Sequence, residues 1–263
     1  MASARTWKNL QVETSAHVAV VTLDRPETLN ALNRETLVEL EDAFRILMED
    51  DTVKAVIVTG AGEKAFAAGA DIGELSGLNQ KEGRALSHQV QQIFSDIEQA
   101  PKPVVAAING YALGGGAELA LACHVRIAAE HARIGLPEVT LGLIPGYGGT
   151  RRLARLTGRG VALEMILTGE PVDAARAERT SLVNRVVPRD QLMEESRRVA
   201  SRMIRNGPLA LSRAIRAVNA SPAEERNGYA LEAELFGELC ESEDVQEGVS
   251  AFLQKREPQF RGQ

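Results

Sequence analysis

An α/β fold with parallel strands joined by helical crossovers is predicted from three features of the sequence. Apolar, β-branched runs of five to seven residues alternate with helical-period segments through the first half. With 44% hydrophobic residues in 263, the chain can bury a large core; at 4% aromatic residues, that core must rest on Ala, Val, Leu and Ile. After about Thr150 the texture becomes almost entirely helical. The length suits one main domain, with a soft boundary near residue 200 that divides a core (1–200) from a C-terminal helical region (201–263).

His17–Leu23 (HVAVVTL) reads as the first strand, ended by Asp24-Arg25-Pro26. Asn33 is placed to cap a helix running to about Glu49, with Leu37, Leu40, Phe44 and Leu47 on one face. Lys54–Gly60 is apolar throughout, as in a strand covered on both faces. Arg84–Ala100 reads as a helix that buries Leu86, Val90, Ile93 and Ile97, and Pro101 and Pro103 interrupt it. Pro103–Ile108 and His124–Ala129 are further strands, flanking a short helix at Ala117–Ala122, and Val183–Val187 is a last short strand. Helices follow, broken at Gly207-Pro208 and Ser221-Pro222. The Leu75–Ser87 stretch, with Gly77 and Gly83, is expected to be mobile and to shape a pocket.

A net charge of −6 argues against generic binding to nucleic acids or anionic membranes. No apolar run approaches the ~18 residues of a membrane span, and MASARTWKNLQVE lacks the apolar core of a secretory signal. Cys123 and Cys240 sit in no metal or redox motif, and Cys123 reads as a small buried hydrophobe. A soluble, cytoplasmic protein is expected.

Three glycine-rich segments can carry chemistry. Gly60-Ala-Gly62 follows a strand, but AFAAGADIGEL beyond it lacks the helix of a dinucleotide fingerprint. No GxxxxGK[ST] occurs either. Lys64–Ile72 (KAFAAGADI) reads as a tight apolar turn or as backbone that a ligand approaches closely. Asn109–Ala120 runs from a strand through three glycines into a helix, an arrangement that presents free N–H groups to an oxyanion. Glu118 in its first turn is either a partner of the helix dipole or an acid/base. Glu138 follows Pro137 among Ile134, Leu136, Val139, Leu141 and Leu143, so it reads as a turn residue or as a partly desolvated acid.

KAFAAGADI, NGYALGGGAELALAC and GLPEVTLGLIPGYGGTRRL, in this order and spacing, resemble the signature segments of the crotonase (enoyl-CoA hydratase/isomerase) superfamily. DRPETLNALN, LTGEPVDA, LVNRVVP and EGVSAFLQKREPQF extend the resemblance over residues 8–261. The resemblance implies a spiral of ββα turns with a C-terminal helical trimerisation region, in a trimer or dimer of trimers. It implies an acyl-CoA thioester substrate, no metal and no cofactor beyond the CoA of the substrate. The Ala70 and Gly115 amides would form the oxyanion hole. Glu118 would activate water and Glu138 would exchange the proton at C2, while Gly146 would hold the water through its N–H. Leu29, Ala68, Asp71 and Ile72 would contact substrate. Lys255, with Arg256, is either solvated or meets the CoA phosphates, from its own or a neighbouring subunit.

Having both carboxylates favours an enoyl-CoA hydratase. Other acyl-CoA reactions of the superfamily (isomerisation, branched-chain or methylglutaconyl-CoA hydration, lyase chemistry) and a binding protein with vestigial chemistry are the alternatives. Three positions depart from the family pattern. His124 replaces a frequent Asp and reads as structural. Ser181 replaces a helix-ending Gly, at some cost in stability. Glu27 stands where basic residues are frequent near the CoA phosphates. Arg151 and Arg152 are expected to pair with acidic residues inside the protein.

Overall fold

In the computed structural model of the chain, residues 6–75, 78–220 and 243–263 are described. The sequence first forms an antiparallel hairpin, β1 (Leu10–Ser15) and β2 (Val18–Leu23), then α1 (Arg34–Glu49). Three ββα turns follow. The first is β3 (Ala55–Gly60), β4 (Ala65–Ala68) and, after the short α2 (Ile72–Leu75), α3 (Gln80–Glu98). The second is β5 (Val104–Ile108), β6 (Tyr111–Leu113) and α4 (Gly115–Ala122). The third is β7 (Val125–Ala129), β8 (Arg133–Gly135) and α5 (Gly149–Thr157), which α6 (Arg159–Thr168) continues.

Each turn gives one strand to each of two sheets. The larger has the order β1-β2-β3-β5-β7-β10, with β10 at Arg185–Val187, and is parallel apart from β1. The smaller is β4-β6-β8-β9, with β9 (Val172–Asp173) antiparallel at its edge. The β3 strand is buried at every position because both of its faces are covered. Val56 and Val58 face the main core with α1, α3 and α4, whereas Ala55 and Ile57 face Leu192, Val199 and Ala200 of α8 (Leu192–Met203). The expected boundary at residue 200 falls inside α8. The chain continues through α7 (Ala174–Arg179) before β10, then α9 (Pro208–Asn219) and α10 (Glu243–Gln254) after α8. The break expected at Ser221-Pro222 and Cys240 lie outside the described residues.

The strands and helices with strong patterns form where the sequence places them. Asn33 accepts a hydrogen bond from the Thr36 amide at 2.8 Å, and Leu37, Leu40, Phe44 and Leu47 are buried. Differences arise where the signal is short. Helix α3 starts at Gln80, not Arg84, because Asn79 and Glu82 form a reciprocal capping box ahead of its apolar face. Residues 80–83 therefore extend the helix at its start. The three- and four-residue strands β4, β6 and β8 were not anticipated.

Cys123 and the departures at 124 and 181 have structural explanations. Cys123 is buried, which pushes its thiol up to about 12. His124 Nδ1 accepts from the Val104 amide at 2.9 Å, so Nε2 carries the proton and donates to the Glu98 carbonyl at 3.0 Å. Its ring ties β5 to the end of α3, and burial keeps it neutral by lowering its pKa. Ser181 follows the end of α7 at φ 61, a left-handed conformation that costs a non-glycine residue about 1 kcal/mol. Ser181→Gly is expected to raise stability by about 0.5–1 kcal/mol in urea denaturation. Equal or lower stability would mean that the serine carries no strain.

Candidate active site

The residues singled out from the sequence meet at the carboxyl ends of three adjacent parallel strands. In the register of the smaller sheet, Ala68 of β4 is opposite Leu113 of β6, which is opposite Gly135 of β8. Two residues beyond each lie Ala70, Gly115 and Pro137, so equal offsets bring the two amides and Glu138 to one edge. There they line a cavity of about 450 Å³ with Glu118.

The Ala70 amide is freed by its neighbours. The Leu32 amide donates to Gly69 O at 2.9 Å and the Asp71 amide donates to Leu32 O at 3.0 Å, so this single parallel bridge leaves the N–H of Ala70 pointing away. Gly115 is the first residue of α4, where an N–H has no intrahelical acceptor. Gly114 before it has φ 49 and ψ −126, a conformation that suits glycine alone and turns the chain from β6 into α4. A Cβ on Gly115 would stand 3.5 Å from the Ala70 nitrogen, so the two donors are close neighbours. Neither amide donates to a protein acceptor among the described residues.

Every residue of α4 is buried. Gly116 seats the helix on β4, because a Cβ there would overlap the Ala67 carbonyl. Glu118 is thus held 1% exposed. Its Oε1 accepts from the Tyr147 amide at 2.8 Å and the Gly149 amide at 2.7 Å. Burial raises its pKa to about 7, against the pull of these two N–H groups and with a further push from the charge of Glu138. Glu138 Oε1 lies against Gly114, and its Oε2 is buried without a hydrogen-bond partner among the described residues. Desolvation raises this carboxyl as well.

Tyr147 is a cavity-lining side chain that the sequence reading did not single out. Its ring packs edge-on against Phe94, with centroids 6.1 Å apart, and its edge covers Gly115. Burial pushes its hydroxyl up to about 12, so the phenol stays protonated. Leu78, Leu86, Leu141, Leu143 and Ile144 supply apolar walls, so residues 78–87 reach the pocket as expected.

Of the other anticipated contacts, Ala68, Ile72 and Gly146 line the cavity. Asp71 instead pairs with Arg25 at 3.4 Å, and Leu29, at φ 54, uses its carbonyl to accept from the Ala68 amide. Both brace the segment from outside the lining. Lys255 is exposed just beyond α10, away from this cavity, and Arg256 is taken up by both oxygens of Glu247. Arg152 pairs with Glu98 at 2.9 Å as expected; Arg151 is exposed.

Comparison with known proteins agrees with this geometry. Residues 13–263 match the family model described as enoyl-CoA hydratase/isomerase. The short-chain-enoyl-CoA hydratase of Clostridium acetobutylicum is 44% identical over 249 residues, which are 94% of this chain and 95% of that protein. The crotonyl-CoA hydratase of Syntrophomonas wolfei is 41% identical over 97% of this chain and 98% of its own. The crystal structure of an enoyl-CoA hydratase from Bacillus anthracis superposes with a TM-score of 0.92 at 41% identity, covering 97% of this chain and 100% of that one. By sequence and by fold, the chain belongs to the enoyl-CoA hydratase/isomerase (crotonase) family.

Proposed function

We propose that the protein adds water across the C2=C3 bond of a trans-2-enoyl-CoA, reversibly, to give a 3-hydroxyacyl-CoA. The observation that carries this is the pair of desolvated carboxyls, Glu118 and Glu138, on one cavity with two unengaged amides. The thioester oxygen sits between the N–H groups of Ala70 and Gly115, which stabilise the negative charge it gains as C3 is attacked. Glu118 takes a proton from water, and the oxygen of that water bonds to C3. Glu138 delivers its proton to C2, and the thioester carbonyl re-forms. The hydrogen bonds favour these roles. Two N–H groups and nearby Arg152 stabilise a carboxylate at Glu118, whereas the partnerless Oε2 of Glu138 favours a neutral acid. Two carboxyls on one cavity resist ionising together, and burial raises both. Hydration uses a base on the added water and an acid at C2; isomerisation needs one group to shuttle a proton, so the pair favours a hydratase.

The chain's own groups supply every step, so no cofactor is invoked beyond the CoA of the substrate. We also propose that residues 1–200 form the catalytic core and that residues 201–263 help self-association into a trimer or dimer of trimers. Apolar side chains left in solvent, Leu167 at 70% and Val218 at 84% exposed, support an assembly. Lys255 reaching the CoA phosphates belongs to that assembled form. Among the described residues no helix is long and apolar enough to cross a membrane. A cytoplasmic enzyme acting in fatty-acid metabolism, without nucleic-acid partners, is the matching reading.

Loss of the conjugated-thioester absorbance of crotonyl-CoA, with a gain of one water in the product mass, tests the reaction. Glu118→Gln and Glu138→Gln should each lower kcat by about 10²–10⁴-fold while the proteins remain folded. Near-normal rates in both would end the proposal. In the wild type, kcat/KM should rise with pH through about 7, as Glu118 ionises, and Glu118→Gln should lose that limb. A limb that survives the substitution would assign the base elsewhere.

The acyl walls also set a preference. Among the described residues no Lys, Arg or His lines the cavity, so a carboxylate at the far end of the acyl chain would be buried unpaired beside two acids. A neutral 2-enoyl-CoA should therefore exceed an ω-carboxylated one of equal length by about 100-fold in kcat/KM. Comparable values for the two would refute this preference.

A further inference from the structure

The turn that holds Glu118 is itself held from α3. Ser87 Oγ donates to the Gly146 carbonyl at 2.6 Å, and Gln91 Nε2 donates to the same oxygen at 2.9 Å. Gln91 Nε2 also reaches Ser87 Oγ at 3.1 Å, so the two side chains form one unit. The Gly146 carbonyl and the Tyr147 N–H are the two ends of a single peptide group. One end is clamped by α3, and the other donates to Glu118 Oε1 at 2.8 Å. The peptide plane is rigid, so fixing its oxygen fixes the direction of its N–H. Donors on a carbonyl also polarise the amide and strengthen the bond its N–H makes.

We propose that Gln91, together with Ser87, positions Glu118 through the peptide group joining Gly146 and Tyr147. Gln91 is not part of the cavity lining, so it is a positioning residue and not a catalytic one. The spacing supports the assignment. Ser87, Gln91, Ser95 and Glu98 form a polar stripe on α3, and Ser95 and Glu98 hold Arg152, whose Nη1 donates to the Tyr147 carbonyl at 3.0 Å. Successive carbonyls of the turn, at 146 and 147, are thus anchored to one helix while its amides at 147 and 149 serve one carboxylate. The catalytic consequence rests on Glu118 acting as the base, as proposed above.

The test reads Glu118 directly. The chain is labelled with ¹³C at its glutamate carboxyls, and the Glu118 signal is assigned by its loss in Glu118→Gln. Its titration midpoint is compared between the wild type, Gln91→Met and the Ser87→Ala/Gln91→Met double variant, alongside kcat and KM for crotonyl-CoA and the melting temperature of each. Glu138 from the 138–141 turn, Arg152 from α5 and the Tyr147 phenol also face Glu118; all three are common to the proteins compared. Weakening an N–H bond to the carboxylate disfavours its charged form, so the midpoint should move up, by about half a pH unit. With it, kcat should fall about five-fold or more while KM stays within about two-fold, and the acid limb of the rate profile should follow the midpoint.

An unmoved midpoint in both variants overturns the proposal, even if kcat falls. A raised midpoint with an unchanged rate supports the clamp and counts against Glu118 as the base, so the two readings fail separately. If the double variant does not fold, Gln91→Met alone decides.

Discussion

A carboxylate withdrawn from water must recover from the protein the stabilisation it loses, or take up a proton. At Glu118 the recovery is partial by construction. The side chain sits on a helix built from Gly, Ala and Leu with every residue buried, and the groups that reach it are two backbone amides on one oxygen. Two more donors would fix it as a spectator anion, and none would leave it a neutral acid throughout the physiological range. The surrounding elements follow from this balance. A small-residue helix has to seat closely on β4, the turn at 145–149 has to return to it, and that turn needs an anchor. Arg152 supplies the anchor as a buried ion, which is tolerable because Glu98, Ser95 and the Tyr147 carbonyl share its donors.

The amides of Ala70 and Gly115 depend on a different constraint, strand register. Because β4, β6 and β8 are parallel neighbours, groups at one offset past each strand end arrive side by side without long-range tuning. Neighbouring parallel strands lie about 5 Å apart, a suitable span for two N–H groups to approach one oxygen atom. The loops beyond the strand ends can then differ without moving the donors.

Much of this was legible in the sequence, for physical reasons that differ by element. Lys54–Gly60 and Pro103–Ile108 announce themselves because a strand covered on both faces must be apolar throughout. Helix α1 does so because Asn33 marks its start and four large residues repeat along one face. Glu118 and Glu138 stood out as acids in apolar company, and motif resemblance tied them together. The short strands were hidden because AFAA, YAL and RIG are too brief for alternation and are held by their neighbours rather than by their own propensity. The role of α3 was hidden for a related reason. Its apolar face dominated the reading, and the polar stripe of Ser87, Gln91, Ser95 and Glu98 has meaning only once its partners, backbone carbonyls and an arginine from the 146–152 segment, are known. Tyr147 was missed because an aromatic residue between glycines signals a turn, not a ring that covers Gly115.

The segment from Leu141 to Arg152 joins tasks that are usually separate. Its first residues, Leu141, Leu143 and Ile144, form acyl wall. Its middle supplies the ring over Gly115 and the amides that hold Glu118, and its end is pinned to α3 by Arg152. A ligand that presses on the wall would therefore load the same short stretch of backbone that holds Glu118. The wall residues are exposed in the single chain, whereas the residues that touch Glu118 are buried and fastened at two successive carbonyls. Such a gradient, exposed at the cavity wall and buried and fastened at Glu118, would let the proposed site admit neutral chains of different shape while the two carboxyls keep their geometry.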